Sequence, residues 1–162
     1  MFREMRRKKQ QLSDEAAIQI LERGTSGVLA VLGDEGYPYA VPLSYVYADG
    51  KILFHCAKSG HKLDAVKAEN KASFCVIEQD KIVKEEYTTY FRSVIAFGKV
   101  RIMDEDEKRA AIEILAKKYY PDDSDEHRSK MIEMESAPLC MLEMTIEHMT
   151  GKEAKELVEK HK

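Results

Sequence analysis

The chain has 162 residues, a formal net charge of −3 and 34% charged residues. That length suits a single domain that buries a full core without staples, and the acidic balance argues against a general affinity for nucleic acid, which normally shows a basic surplus. The longest apolar runs are strand-sized and interrupted, so none reads as a membrane span, and the basic N-terminus lacks the apolar run of a secretory signal; a cytoplasmic protein with no membrane partner is expected.

Residues 1–11 carry Arg3, Arg6, Arg7, Lys8 and Lys9 and read as a solvated basic arm, or as an arm that reaches a partner subunit or an anionic ligand. Ser13 is a natural N-cap, followed by Asp14 and Glu15 in a first turn and by the apolar stripe Ala17, Ile18, Ile20, Leu21, so a first helix ends near Gly24. From Gly27 the period becomes that of strands: Val28 to Leu32, a turn at Gly33 to Gly36, and a long strand from Tyr37 to Tyr47. Asp49-Gly50 signals a hairpin into Ile52 to Ala57, which makes a three-stranded antiparallel meander. Pro38 and Pro42 cannot donate to a ladder, so the middle strand should be an edge or bulged, with free backbone groups able to hydrogen-bond a planar heterocycle.

A short helix follows to about Asn70, then a fourth strand from Ala72 to Ile77, a polar loop from Glu78 to Lys81, and a long strand from Tyr87 to Met103 broken near Gly98. Asp104 with Glu107 forms a capping-box start for a helix whose apolar positions are Ala111, Ile114 and Leu115, and a second helix runs from Ser124 to Glu135. Residues 104–136 thus form a helical insertion. A last strand spans Leu139 to Ile146, and residues 150–162 read as a C-terminal helix capped at Thr150 to Glu153 with Ala154, Leu157 and Val158 on one face. The whole is one domain, 1–162, mainly β with peripheral helices: a six-stranded antiparallel barrel.

The chemistry concentrates in Lys58-Ser59-Gly60-His61-Lys62, where a strand runs into a helix start. Helix starts present unpaired N–H groups and the positive end of the macrodipole, and two Lys, a His, a Ser hydroxyl and a Gly crowd around this one, so it is a plausible phosphate seat as well as a possible solvated turn. It has neither the P-loop spacing nor GxGxxG, which points away from a nucleoside triphosphate or a Rossmann-bound dinucleotide and toward a smaller phosphorylated cofactor. Cys56, Cys75 and Cys140 are widely spaced in apolar segments and read as reduced, buried thiols; no paired ligand spacing suggests a metal. His55 and Cys56 are adjacent on a strand and point to opposite faces, so they do not form a nucleophilic pair.

Four ordered segments carry a resemblance: MRRKKQ at Met5 to Gln10, GYPYAVPLSYVY at Gly36 to Tyr47, FHCAKSGHKLDAV at Phe54 to Val66, and FRSVIAFGKV at Phe91 to Val100. Together they resemble the FMN-binding split-barrel superfamily, also called pyridoxamine 5′-phosphate oxidase-like, and within it the nitroimidazole-resistance (Nim) flavoproteins. The resemblance implies a split β-barrel of Greek-key type and a homodimer with FMN at the subunit interface. It places Tyr39, Val41, Pro42, Leu43 and Ser44 along the flavin, Phe54 and His55 under the ring or ribityl chain, and His61 and Lys62, beside Ser59, on the phosphate. Ser93, with Arg92, supplies a polar contact from the bent strand. The oxidases of the family use Arg-Lys where this chain has His61-Lys62, and they hold their B6 substrate with a C-terminal Trp and Arg, whereas this chain has no Trp.

Three functional readings follow from the resemblance. The first is an FMN-dependent oxidoreductase of nitroreductase or flavin-reductase type acting on a small molecule, with NADH or NADPH as electron donor and His55 or His61 donating a proton or hydrogen bond near the cofactor. His55 also reads as a hydrogen-bonded interior histidine. The second is a flavin-binding carrier or sensor without turnover, and the third a haem-binding split-barrel protein with His55 or His148 as ligand.

Overall fold

The computed structural model describes residues 1–160. Its elements are α1 (Asp14–Arg23), β1 (Ser26–Leu32), β2 (Pro38–Ser44), β3 (Val46–Ala48), β4 (Lys51–Ala57), α2 (His61–Ala68), β5 (Lys71–Val83), β6 (Thr88–Ile102), α3 (Glu105–Tyr119), α4 (Asp125–Glu135), β7 (Leu139–Glu153) and α5 (Lys155–Lys160). The strands form one antiparallel sheet of seven, in the order β2-β1-β5-β6-β7-β4-β3. Six strands were expected; the seventh arises because the long strand from Tyr37 to Tyr47 breaks at Tyr45 into β2 and β3, which occupy the two opposite edges. The expected meander is therefore two hairpins, β1–β2 and β3–β4, joined by a corner.

Tyr45 is that corner. It is fully buried, its hydroxyl donates to the Leu21 carbonyl at 2.7 Å, its ring stands edge-on to Phe74, and its N–H donates to the Tyr119 hydroxyl at 3.1 Å. The sheet curls so that both edges line one core: Tyr39, Val41 and Leu43 of β2 pack on the cluster that holds Ile52 and Phe54 of β4, together with Leu29, Phe74, Val94 and Leu142. Each large aliphatic or aromatic side chain buried there contributes about 1.5–3 kcal/mol. Ala17, Ile20 and Leu21 of α1 close one end of this barrel and Leu63, Ala65 and Val66 of α2 the other. The hairpin turn that leads into β4 uses Asp49 and Gly50 with φ of 47° and 77°, as an Asp-Gly pair allows.

Several expected boundaries move. The polar stretch Glu78 to Lys81 is not a loop: β5 continues through it, with a bulge between Ile77 and Gln79. Its polar composition belongs to a solvated two-stranded ribbon, where side chains on both faces meet water. β7 runs to Glu153, so Thr150 to Glu153 are strand rather than a helix cap. Gly151 sits beneath α1, where a Cβ would come within 2.9 Å of Leu12, and Glu153 is fixed by Arg92. The C-terminal helix begins only at Lys155, and the final positions of the range 150–162 lie outside the described residues. In α3 the buried positions are Ala111, Ile112 and Leu115, while Ile114 is exposed. The break near Gly98 is real: the β6–β7 register shifts after Phe97, and a Cβ on Gly98 would meet the Thr145 carbonyl oxygen at 2.0 Å.

The two outer faces of the sheet differ. Over β3, β4 and β7, helices α3 and α4 bury Val46, Leu53 and Met141 against Ile112, Leu115 and Ile132. Over β1, β5 and β6 no helix lies among the described residues, and Val28, Leu32, Ile77, Ile95 and Phe97 remain exposed. The basic side chains of the arm, Arg3, Arg6, Arg7, Lys8 and Lys9, are exposed, while its other residues touch the sheet: Phe2 stacks on His148 at 4.7 Å and lies against Phe97, and Gln11 bridges to Lys152.

If Tyr45 pins the corner, Tyr45→Phe removes the donor that satisfies a buried carbonyl and should cost roughly 1–3 kcal/mol. Urea denaturation measures this, and a midpoint equal to that of the wild type would show the pin to be dispensable.

Candidate cofactor site

The barrel has a seam. β4 pairs with β3 only over Lys51 to Leu53, and β2 pairs only with β1, so the free edge of β2 and the end of β4 beyond Leu53 lie beside each other without a shared ladder. Strand edges carry a row of unpaired N–H and C=O groups. The prolines agree with this: Pro38 and Pro42 sit on the edge strand, where a missing donor is tolerated.

At one end of the seam stands the N-terminus of α2. Gly60 has a φ of +130°, a backbone position open to glycine, and lets the chain turn from β4 into the helix. Its carbonyl accepts from Leu63 and Asp64, leaving the first N–H groups of the helix pointing outward. Lys62 has no ion-pair partner among the described residues, and its charge acts on the nearby Cys56 thiol. Ser59 is exposed beside it. His61 is held differently: its ring stacks on Tyr39 at 4.1 Å, and Nε2 accepts from the Asp34 N–H at 3.3 Å, with the Asp34 carboxylate 3.7 Å away. This bond requires the tautomer protonated at Nδ1, so the ring is tied to the β1–β2 turn rather than aimed outward.

At the other end lies a groove of about 250 Å³ lined by Ser44, His55, Ile112, Leu115, Ala116, Tyr119 and Leu139. His55 points out of the barrel into it, while its neighbours Phe54 and Cys56 point into the core, as strand alternation dictates. Among the described residues His55 and Ser44 have no side-chain hydrogen-bond partner, so they are the free polar groups of an otherwise apolar lining. The Tyr119 hydroxyl donates to the Thr25 carbonyl and accepts from the Tyr45 N–H, which ties this wall to the barrel corner.

The expected site residues thus separate. Tyr39, His61, Lys62 and Ser59 gather at the helix start; Ser44 and His55 meet in the groove. Tyr39, Val41 and Leu43 turn toward the core, whereas Pro42 faces out. Phe54 has no exposed surface and packs edge-on to Phe74, so it backs the seam wall without reaching its surface. Arg92 and Ser93 lie elsewhere. Arg92 is bound to Glu153 at 2.8 Å and to Glu78 at 3.5 Å near α1, eight residues along β6 from the Val100–Asn70 contact beside α2, roughly 26 Å of strand. Ser93 is on the bare outer face, opposite Lys152. The contribution of α3 was missed, although Ile112, Leu115, Ala116 and Tyr119 stand at i, i+3, i+4 and i+7 and are readable as one helical stripe.

A charge network sets α3 over the sheet. Glu143, buried on β7, accepts from Arg101 at 2.9 Å and Lys51 at 3.1 Å, and Arg101 also grips both oxygens of Glu107 at 2.8 Å. Burial alone would raise the Glu143 pKa, but the bonds from Arg101 and Lys51 hold it below the ordinary value. Glu107 in turn accepts from the Asp104 N–H, completing the start of the helix.

Comparison with known proteins places this geometry. A family model described as pyridoxamine 5′-phosphate oxidase matches residues 13–153. No curated protein matches the chain. Among solved structures, a candidate 5-nitroimidazole antibiotic resistance protein from Bacteroides thetaiotaomicron is similar at 22% identity and a TM-score of 0.71, over 88% of this chain and 85% of that one. An FAD and haem binding protein from Mycobacterium smegmatis is similar at 21% identity and a TM-score of 0.74, over 90% of this chain and 73% of that one. A conserved hypothetical protein from Mycobacterium tuberculosis reaches a TM-score of 0.79 at 16% identity, over 95% and 92% of the two chains. At these identities the likeness establishes the shared fold.

The Arg101 fork predicts a pH dependence. Hydrogen bonds from Arg101, then from the Asp104 backbone, hold the Glu107 carboxyl down to about 2 from its ordinary 4.5. A depressed carboxyl adds stability that is fully present above the unfolded value and is lost as pH falls through the folded one. The difference in melting temperature between wild type and Glu107→Gln should therefore be largest above about pH 4.5 and close toward pH 2; a difference constant over that window would remove the fork from the account.

Proposed function

This chain belongs to the pyridoxamine 5′-phosphate oxidase family, and from that membership we propose that it is a cytoplasmic, homodimeric, FMN-dependent oxidoreductase acting on a small molecule. The observation that carries the reading is the open seam, which runs from an uncompensated cation at a helix start to an apolar groove holding a free histidine. The chemistry of its lining fits a flavin mononucleotide: a cationic, N–H-rich end for a phosphate, strand edges for the polar rim of a heterocycle, and an apolar recess at the far end. A bound flavin supplies hydride and single-electron transfer.

The residues of the chain then have these tasks. Lys62 and the first N–H groups of α2 hold the phosphate, with Ser59 at its side. The edge of β2 from Tyr39 to Ser44 binds the ring through backbone groups, and His61, stacked on Tyr39, buttresses that edge. His55 faces the groove and donates a proton or hydrogen bond to the molecule bound there. Neighbours whose names give FAD-binding or FAD and haem binding proteins support a flavin role in general; FMN is the flavin that the family resemblance implies. A B6 substrate is not favoured, because the chain has no Trp.

The distribution of parts supports the homodimer proposed here. The strip Val28, Ile77, Ile95 and Phe97 is an exposed apolar sheet face, with Pro42 and Ser93 on the same side. A second copy seated there would hide this face and bring its own Ser93 and Arg92 to the interface, where the resemblance assigns them a polar contact.

Titration of the purified protein with FMN, FAD and haem, followed by addition of NADPH, separates the readings. FMN bound and then reduced is the expected result. Flavin bound but never reduced by NADH or NADPH leaves a carrier or sensor, and a protein that takes up haem alone overturns the proposal. Lys62→Ala should weaken FMN binding by about 1.5–3 kcal/mol, roughly 10- to 150-fold in Kd, whereas His55→Ala should retain FMN and slow turnover. Ile95→Lys should turn a dimer into a monomer by light scattering; a wild type that is already monomeric would refute the interface.

A further inference from the structure

Cys56 and Cys140 are directly opposed partners on β4 and β7. Both point into the barrel core, where they are 8% and 9% exposed. Opposed residues of an antiparallel pair have Cα atoms about 4.5–5.5 Å apart, inside the roughly 4.4–6.8 Å window that a disulfide needs. The Cys140 thiol adds to the upward shift of the Cys56 thiol, and it donates to the Met141 carbonyl at 3.9 Å. Side chains on the same face and in register are the arrangement from which a cross-strand bridge can close. Cys75 offers the contrast, since its register partners are Val28 and Ile95 and no thiol faces it.

We propose that Cys56 and Cys140 form a reversible redox modification site, closed to a disulfide by hydrogen peroxide. In the first step a Cys sulfur attacks a peroxide oxygen, the O–O bond breaks, and one water leaves as the sulfur becomes a sulfenic acid. In the second the facing sulfur displaces the sulfenic oxygen as a second water, forming the S–S bond. Two thiols lose two electrons and two protons, and hydrogen peroxide takes up both.

The bridge would lock the end of β4 to the start of β7. Between them these segments carry His55 and Leu139 of the groove, and the path onward through Ala57 to Lys62 begins one residue after Cys56. Oxidation thus stiffens the seam from behind. Burial pushes the Cys56 thiol up to about 11, against the pull of the Lys62 charge, so the site is slow at neutral pH and quickens as pH rises. The assignment stands whatever occupies the seam.

The test treats the full chain as purified with hydrogen peroxide at pH 7 and pH 9 and maps peptides without reduction. The expected result is a mass loss of about 2 Da, a peptide joining Cys56 to Cys140, faster formation at the higher pH, and reversal by dithiothreitol. Oxidation should also raise the melting temperature of the wild type and not that of Cys140→Ser. The mapping needs no variant, so a misfolded Cys140→Ser leaves the test intact. Three outcomes overturn the proposal: resistance of both thiols, separate mass gains of oxygen at Cys56 and Cys140, or reaction confined to Cys75 with chains linked to one another.

Discussion

One buried hydrogen bond lets a single run of sequence serve both edges of the sheet. The Tyr45 hydroxyl reaches the last turns of α1 at the Leu21 carbonyl, and the strands on either side of it go to different partners, β2 to β1 and β3 to β4. A residue with no exposed surface can hold such a corner because its ring is also clamped by Phe74 and its N–H by Tyr119. The barrel is brought round by a covalent corner rather than by a closing ladder, and the seam is what remains where the ladder is missing.

That seam explains where chemistry can occur in a chain otherwise occupied with packing. Unpaired strand edges are a liability in most sheets, and here they are short, proline-marked and partly covered. One end is roofed by α3, whose position is fixed from below by the buried Glu143 and its two cations, and the other by the start of α2. The same corner that opens the seam also receives Tyr119 from α3, so the groove wall and the barrel corner share one set of hydrogen bonds. A displacement of α3 would be felt at Tyr45.

Much of this was legible in the residues and some was not, for physical reasons. The helix starts at Ser13, Ser124 and Asp104, the Asp49-Gly50 hairpin, the edge character imposed by Pro42 and the bulge at Gly98 all rest on local rules, and local rules survive folding. The split of β2 from β3 did not appear, because a tyrosine between two β-branched or apolar stretches looks like continuous strand; only the distant Leu21 and Phe74 make it a corner. Glu78 to Lys81 looked like a loop since a solvated ribbon and a loop share a composition. At the site, Lys62 and His55 were picked out by residue type, whereas the diversion of His61 to Tyr39 and Asp34 is a tertiary contact with no sequence signature. The ion pairs of Arg92 with Glu153 and Glu78 are likewise tertiary contacts that its residue type does not announce.

The bare face over β1, β5 and β6 completes the picture. The sheet has two outer surfaces, and the helical insertion shields only one, so the same barrel that is sealed over β4 and β7 presents Val28, Ile77 and Ile95 to water. Isolated apolar side chains at a surface need no explanation, but these occupy neighbouring register positions on adjacent strands, Val28 beside Cys75 and Cys75 beside Ile95. The arm covers only its margin, at Phe97 and His148. An open seam and a sheet face with exposed apolar side chains thus lie on one molecule, and both are surfaces that the proposed second copy would cover.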